Sequence, residues 1–250
     1  MSYSIEHFVR TIVEPAKRKG KKYLSEEFFY RNPNRPQKIN SNYFYAPSDG
    51  IIIGMKEVML KDSICEIKGE AYTLDDAMGG RLSDEDYGFR SKDKFLVVEV
   101  FLTMYHVHYT RVPYGGIINT EYLPPILTQN LPMLSMENDL LKGIVNMNNA
   151  DYLFNNYRAF QSIYNPKFQI NYFVLNIADY DVNAIISHHQ DGDLIGQNDI
   201  LGAMQYGSQV TLIVPKPKKY DDYDLIFNSN LKVGDCIEGG LDYLIEFIDK

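Results

Sequence analysis

The chain opens with an apolar stripe at helical spacing. Ile5, Phe8, Val9, Ile12 and Val13 fall at i, i+3, i+4, i+7 and i+8, which is one face of an α-helix. Ser4 stands ready to cap it, so the spacing predicts a helix over 4–14 that ends at Pro15. A second, short helix is predicted over Ser25–Tyr30, with Ser25 as its cap and Glu26 and Glu27 in the favourable first turn. The stretch Arg31-Asn32-Pro33-Asn34-Arg35-Pro36 is turn chemistry.

From residue 43 the texture changes. Runs rich in Ile, Val, Tyr and Phe alternate with Gly, Asp and Asn turns. They predict strands at Gly50–Leu60, Ile64–Tyr72, Phe95–Val107, Gly116–Tyr122, Phe168–Ala178, Val182–His188, Ser208–Val214 and Leu225–Phe227. Leu140–Asn148 and Tyr152–Tyr157 fit strand or loop equally. Leu231–Asp242 is turn-rich, with Gly234 and Gly239 as candidates for positive-φ positions. The expected fold is α+β, mostly β: a sandwich-like β domain with barrel-sandwich elements over 41–250, preceded by a helical arm over 1–40.

Composition sharpens this picture in three ways. Residues 1–40 hold nine lysines and arginines against four acidic residues, whereas the remainder holds sixteen against twenty-nine. A basic arm on an acidic body argues against a nucleic-acid binder, which carries a basic domain. The cluster Lys17-Arg18-Lys19-Gly20-Lys21-Lys22 beside an amphipathic helix suits an anionic membrane surface through residues 4–22, or equally a helix packed on the core with a solvated basic loop. Two isolated cysteines, Cys65 and Cys236, give no metal spacing and read as reduced core residues. No apolar run reaches the length of a membrane span, and no signal peptide is evident, so a cytoplasmic protein with at most peripheral membrane contact is expected.

Candidate chemistry is sparse. No P-loop, dinucleotide glycine fingerprint, Cys-x-x-Cys or Gly-x-Ser-x-Gly is present. His106-Val107-His108 closes an apolar strand run, and alternation would send both histidines to one face. No carboxylate or cysteine at matching spacing completes a metal site, so no metal is expected. His188-His189 leads into Asp191-Gly192 and reads as a strand end before a hairpin turn. Asp49-Gly50 and Gly207-Ser208 are each, alone, ordinary turn dipeptides.

Taken in order, these pieces resemble the phosphatidylserine decarboxylase family of pyruvoyl-dependent enzymes. Phe29-Tyr30-Arg31-Asn32-Pro33-Asn34-Arg35 is similar to the family's Phe-x-Arg-x-Pro-x-Arg segment. Ala46-Pro47-Ser48-Asp49-Gly50 resembles its Ser-Pro-Ala-Asp-Gly, and Ile67-Lys68-Gly69-Glu70-Ala71-Tyr72-Thr73-Leu74 its Ile-Lys-Gly-x-x-Tyr-Ser-Leu. Val107-His108-Tyr109-Thr110-Arg111-Val112-Pro113 resembles its Val-His-Val-Asn-Arg-x-Pro, and Gly202-Ala203-Met204-Gln205-Tyr206-Gly207-Ser208 its self-cleavage segment. Three departures stand out. Tyr157 occupies the acidic position of the family's Asn-Glu-Arg, His106 precedes the Val-His pair, and Gln209 follows the serine.

The resemblance implies a mechanism. Ser208 attacks the Gly207 carbonyl with His108 as base and Asp49 fixing the His108 tautomer. Ester formation, β-elimination and hydrolysis then give a β chain, 1–207, and an α chain, 208–250, that starts with a pyruvoyl group derived from Ser208. That group forms a Schiff base with a substrate amine and serves as an electron sink for decarboxylation. His108 would return a proton. Substrate-binding roles fall to His106 and to Arg111, whose alternative is a surface ion pair. The implied substrate is phosphatidylserine, with a soluble amino acid as alternative and a non-cleaving scaffold as a third reading. The implied assembly keeps the α and β chains associated and forms a homodimer.

Overall fold

The computed structural model describes residues 2–36, 38–67, 70–123, 133–149, 152, 156–179, 185–204, 208–218 and 221–250, with the side chains of 65–67, 70 and 149 left out of account. Gly207, Tyr206, Lys68, Gly69, residues 153–155 and residues 182–184 lie outside the described set.

The protein is mostly β, as its alternating runs predict. Its centre is a nine-stranded antiparallel sheet with the order Tyr3–Ser4, Asp235–Ile237, Gly50–Met59, Lys94–Leu102, Ser208–Pro215, Ile170–Ala178, Arg158–Asn165, Gly116–Leu123 and Leu194–Ile195. Ser208–Pro215 is the middle strand. It pairs with Lys94–Leu102 on one side and Ile170–Ala178 on the other, in registers that set Ser208 opposite Leu102 and Ala178. All three strands are apolar on both faces, the pattern of strands covered from both sides. Phe101, Leu175 and Ile213 face one core, which also takes Phe8, Val13 and Met136 from the helices. Val100, Val174 and Leu212 face the other, which takes Phe44, Leu244, Leu201 and Met204 from smaller three-stranded sheets.

The helical arm corrects two expectations. The first helix runs through Ile5–Phe8, a π-helical turn at Val9–Val13 and Glu14–Arg18. Ser4 caps it, accepting from the His7 backbone N–H at 3.2 Å. Pro15 does not end it. The π turn shifts the hydrogen-bond register, so Pro15 falls in the first turn of the next α segment, where its missing N–H costs nothing. The second helix begins earlier than predicted, at Lys21–Tyr23, after Gly20 at φ +88° has reversed the chain, and continues as a π turn over Leu24–Phe28. Ser25 is therefore not a cap; its hydroxyl donates back to the carbonyls of Lys21 and Lys22.

The apolar stripe packs inward. Phe8, Val13 and Ala16 are buried, while Lys17, Arg18, Lys19, Lys21 and Lys22 remain exposed. The stripe is thus committed to the core, and the basic cluster faces solvent. Among the described residues no helix is long and apolar enough to cross a membrane.

Further along, strand Lys94–Leu102 stops before the histidine pair, because Thr103 turns the chain and its carbonyl accepts from the His106 N–H at 3.0 Å. The strand Arg158–Asn165 was not predicted; it forms a hairpin with Ile170–Ala178. The ambiguous run near Leu140 is the end of a helix, Leu134–Leu140, followed by a turn. His188–Asp193 is a turn, with Gly192 at φ +87°, but its flanking strands belong to different sheets. Gly234 does take a positive φ of 93°, whereas Gly239 does not; the neighbouring Gly240 does, at 74°. Cys236 is a free, buried thiol, pushed up to about 12 by burial.

Leu212→Ala should cost about 2–5 kcal/mol, because it opens a cavity between the central sheet and its cover. Leu194→Ala, at a side chain 80 % exposed, should change stability by less than about 0.5 kcal/mol. Urea denaturation of the two variants checks the contrast.

Candidate active site

Ser208 begins the middle strand, and its side chain is sealed from solvent. Among the described residues its Oγ has no hydrogen-bond partner. Leaving a buried hydroxyl unpaired costs about 1–3 kcal/mol, and Ser208 shares this state with the nearby His108 and with six other buried side-chain atoms.

His108 reaches the same region from two directions. The turn 103–108 leaves strand Lys94–Leu102 at the residue opposite Ser208. Its far end enters strand Tyr109–Arg111, which pairs with Ile200–Met204, and the His108 carbonyl accepts from the Met204 N–H at 3.0 Å. Met204 and Ser208 are therefore both anchored beside this turn. His108 is buried, with Phe29 packed on its ring at 4.2 Å between centroids. Its Nδ1 lies 3.1 Å from the carbonyl oxygen of His106. A carbonyl only accepts, so Nδ1 carries the proton and Nε2 holds the free lone pair. That Nε2 is buried without a partner among the described residues. Burial first, then the His106 ring, pushes the His108 imidazole down to about 3.

Asp49 does not orient His108, as the resemblance had implied. Its carboxylate is gripped by Arg35 through both guanidinium Nη atoms, Nη2 to Oδ2 at 2.7 Å and Nη1 to Oδ1, and it accepts from the Gly239 N–H at 2.9 Å. Gly239 is required here for space: a Cβ would stand 2.9 Å from the Ser48 carbonyl carbon. The backbone carbonyl of His106 takes over the orienting role. Asp49 acts on His108 only through its field, which favours the charged imidazole.

His106 and His108 are buried but do not act as a pair. The His106 Nδ1 accepts from the Thr103 N–H at 3.0 Å, so its Nε2 bears the proton. Phe8 stacks on the ring at 4.2 Å, and burial pushes the imidazole down to about 3. His106 lines a cavity of about 250 Å³ with Arg31, Arg35 and Asp49. His108 lines another, of about 150 Å³, with Phe29, Tyr30, Ile186, His188 and Met204. Arg111 stands apart from both. Its guanidinium donates to the Asn198 carbonyl at 3.0 Å and makes no ion pair among the described residues.

Sequence reasoning assigned no role to the two arginines of Phe29–Arg35, and their spacing around Pro33 was the available signal. Arg31 donates to the carbonyls of Tyr105 at 2.6 Å and Phe28 at 2.7 Å, clasping the turn that carries both histidines. Arg35 holds Asp49. The departures also find partners. Gln209, fully buried, accepts from the Tyr152 hydroxyl at 3.1 Å and donates to Thr211 Oγ1 at 3.2 Å, which fixes the residue next to Ser208. Tyr157 stacks on Tyr122, and buried Arg158 donates to the Ala77 carbonyl at 3.0 Å.

Comparison with known proteins identifies the family. The sequence pattern of the phosphatidylserine decarboxylase family matches residues 27–240. The chain is 23 % identical over 194 residues to the phosphatidylserine decarboxylase proenzyme of Carboxydothermus hydrogenoformans, covering 78 % of this chain and 70 % of that one. It is 22 % identical over 190 residues to the proenzyme of Ehrlichia canis, covering 75 % and 64 %, and 21 % identical over 193 residues to that of Cytophaga hutchinsonii, covering 76 % and 67 %. With Asp49, His108 and Ser208 in the matched span, the chain belongs to the phosphatidylserine decarboxylase family, whose members are carboxy-lyases.

Proposed function

We propose that the protein is a proenzyme that cuts itself between Gly207 and Ser208 and then, through a pyruvoyl group made from Ser208, decarboxylates phosphatidylserine to phosphatidylethanolamine. The observation that carries this reading is that Ser208 starts the middle strand beside the turn that carries His108, with Ser208 Oγ and His108 Nε2 both buried and without a partner among the described residues. One is a nucleophile without an acceptor and the other a base without a donor. The relatives named above are proenzymes, which agrees with self-processing.

In the proposed cleavage, His108 Nε2 takes the Ser208 Oγ proton and Oγ attacks the Gly207 carbonyl carbon. The C–N bond breaks as the amide becomes an ester, and the proton moves to the freed Ser208 nitrogen. Loss of the Ser208 α-proton expels the Gly207 carboxylate and leaves dehydroalanine, which water converts to pyruvoyl and ammonia. When formed, the pyruvoyl ketone supplies a carbonyl that condenses with the substrate amine and takes up the electron pair left as CO₂ departs. The chain's own residues do the rest. Phe29 and Phe8 keep water from the histidines, Gln209 fixes the strand start, and His108 holds or returns a proton at Nε2.

The topology supports lasting association of the two products. The fragment 208–250 includes the middle strand of the sheet, bonded on both sides to strands of 1–207, and the strands Asp235–Ile237 and Tyr243–Asp249 pair with it again. The fragments should co-elute in native gel filtration and part only in denaturant.

A lipid substrate requires docking at an interface, and the exposed basic cluster Lys17–Lys22 suits that role electrostatically. The inward-facing stripe and the small cavity beside His108 favour a second reading, a free amino acid as substrate. Incubating the processed enzyme with phosphatidylserine vesicles and with free amino acids, and following CO₂, separates the two. Release from vesicles is expected and should vanish in Ser208→Ala; release from free amino acids alone would reject the lipid assignment.

Two further outcomes follow from the site. Because His108 titrates near 3 when buried, its neutral, basic form persists throughout the mildly acidic range. The rate of self-cleavage should therefore stay level from about pH 8 to about pH 5, instead of falling through the ordinary histidine range near about 6.5. A stopped time course at each pH, read by denaturing electrophoresis, checks this. Arg35 acts through Asp49, so Asp49→Asn and Arg35→Ala/Asp49→Asn should slow cleavage equally, by about tenfold or more, and Arg35→Lys should slow it less than Arg35→Ala because it keeps charge but loses the two-pronged grip.

A further inference from the structure

Far from Ser208, the same strands end in a second concavity. Ser208–Pro215 and its partner Lys94–Leu102 run antiparallel with Pro215 opposite Phe95. Seven residues at about 3.3 Å each place the two ends about 23 Å apart. The cavity there has a volume of about 750 Å³, within the range of small-molecule clefts. It is lined by Tyr87, Phe89, Pro215 and Pro217 together with five lysines and two aspartates, Asp93 and Asp224.

The lysines are not equally committed. Lys94 pairs with Glu57 at 2.8 Å and Lys216 with Asp224 at 2.7 Å. The Lys250 ε-amino group donates to the Lys218 carbonyl at 2.9 Å. Asp93 accepts from the Arg90 N–H at 2.8 Å. Lys92 and Lys218 are exposed, and their ammonium groups have no ion pair among the described residues. In a chain of net charge −8, a concave cluster of cations with two left unpaired attracts anions against the overall field. Its concavity suits a compact ligand better than the flat plane of a bilayer.

We propose that this groove is a binding site, separate from the Ser208 centre, for a soluble organic diphosphate such as a nucleoside diphosphate. The phosphates would lie among the lysines, and the organic part on the aromatic and proline side chains. The test is isothermal titration of the full chain with adenosine diphosphate and with inorganic pyrophosphate, alongside sedimentation with phosphatidylglycerol vesicles. Adenosine diphosphate should bind, pyrophosphate more weakly for want of the contact with those side chains, and both less as salt is raised. The double charge reversal Lys92→Glu/Lys218→Glu should weaken adenosine diphosphate binding by about tenfold or more while leaving the melting temperature and self-cleavage unchanged. The proposal is overturned if neither soluble phosphate binds at millimolar concentration, or if binding survives the double reversal. It is equally overturned if the reversal abolishes vesicle binding while the soluble phosphates never bind, since the lysines would then serve a lipid surface.

Discussion

The structure depends on keeping two polar atoms dry. Among the described residues Ser208 Oγ and His108 Nε2 are both buried and both without a partner, at a cost of about 1–3 kcal/mol each. That cost is tolerated because the surrounding framework is over-determined. Ser208 starts the central strand of nine, bonded on both sides. His108 is fixed by a backbone bond on each flank, by its own Nδ1 and by Phe29. The backbone of Ser208 cannot shift without breaking sheet pairing on both sides. The same dryness keeps the imidazole neutral, which is the state a base needs.

A single ion pair ties the chain's distant segments to this point. Arg35 comes from the N-terminal arm, Asp49 from the entry to the central sheet and Gly239 from the C-terminal region. Arg31, four residues before Arg35, clasps the turn that carries the histidines. The arm therefore serves as a brace: its apolar side joins the core through Phe8 and Val13, and its arginines fix Asp49 and the turn. This explains in physical terms why two arginines around Pro33 matter, and why the Asp49 carboxylate engages a guanidinium instead of the His108 ring.

Much of this was legible beforehand, and the failures have physical causes. Alternation and apolar runs located the three central strands, because their burial on both faces leaves a strong signal. The strand Arg158–Asn165 was missed because buried polar residues, Gln161 and Ser162, interrupt its apolar run. Pro15 misled because a π turn absorbs it. His106 and His108 looked like strand neighbours on one face, yet a turn bonded from Thr103 separates their surroundings. The candidate site residues Asp49, His108 and Ser208 emerged only from their order along the chain, since each sits in an unremarkable dipeptide. The Asp49–Arg35 pairing left no sequence trace beyond the residues themselves, because it is made by tertiary contact across 14 positions.

Everything in this account turns on the bond before Ser208. Intact mass spectrometry of the purified protein, under denaturing conditions, reads it directly. The account predicts two chains, 1–207 and 208–250, with the shorter one lighter than a serine-started peptide by one ammonia, and a single uncut chain for Ser208→Ala. A full-length wild-type chain that persists on incubation, or cleavage at another bond, would contradict it.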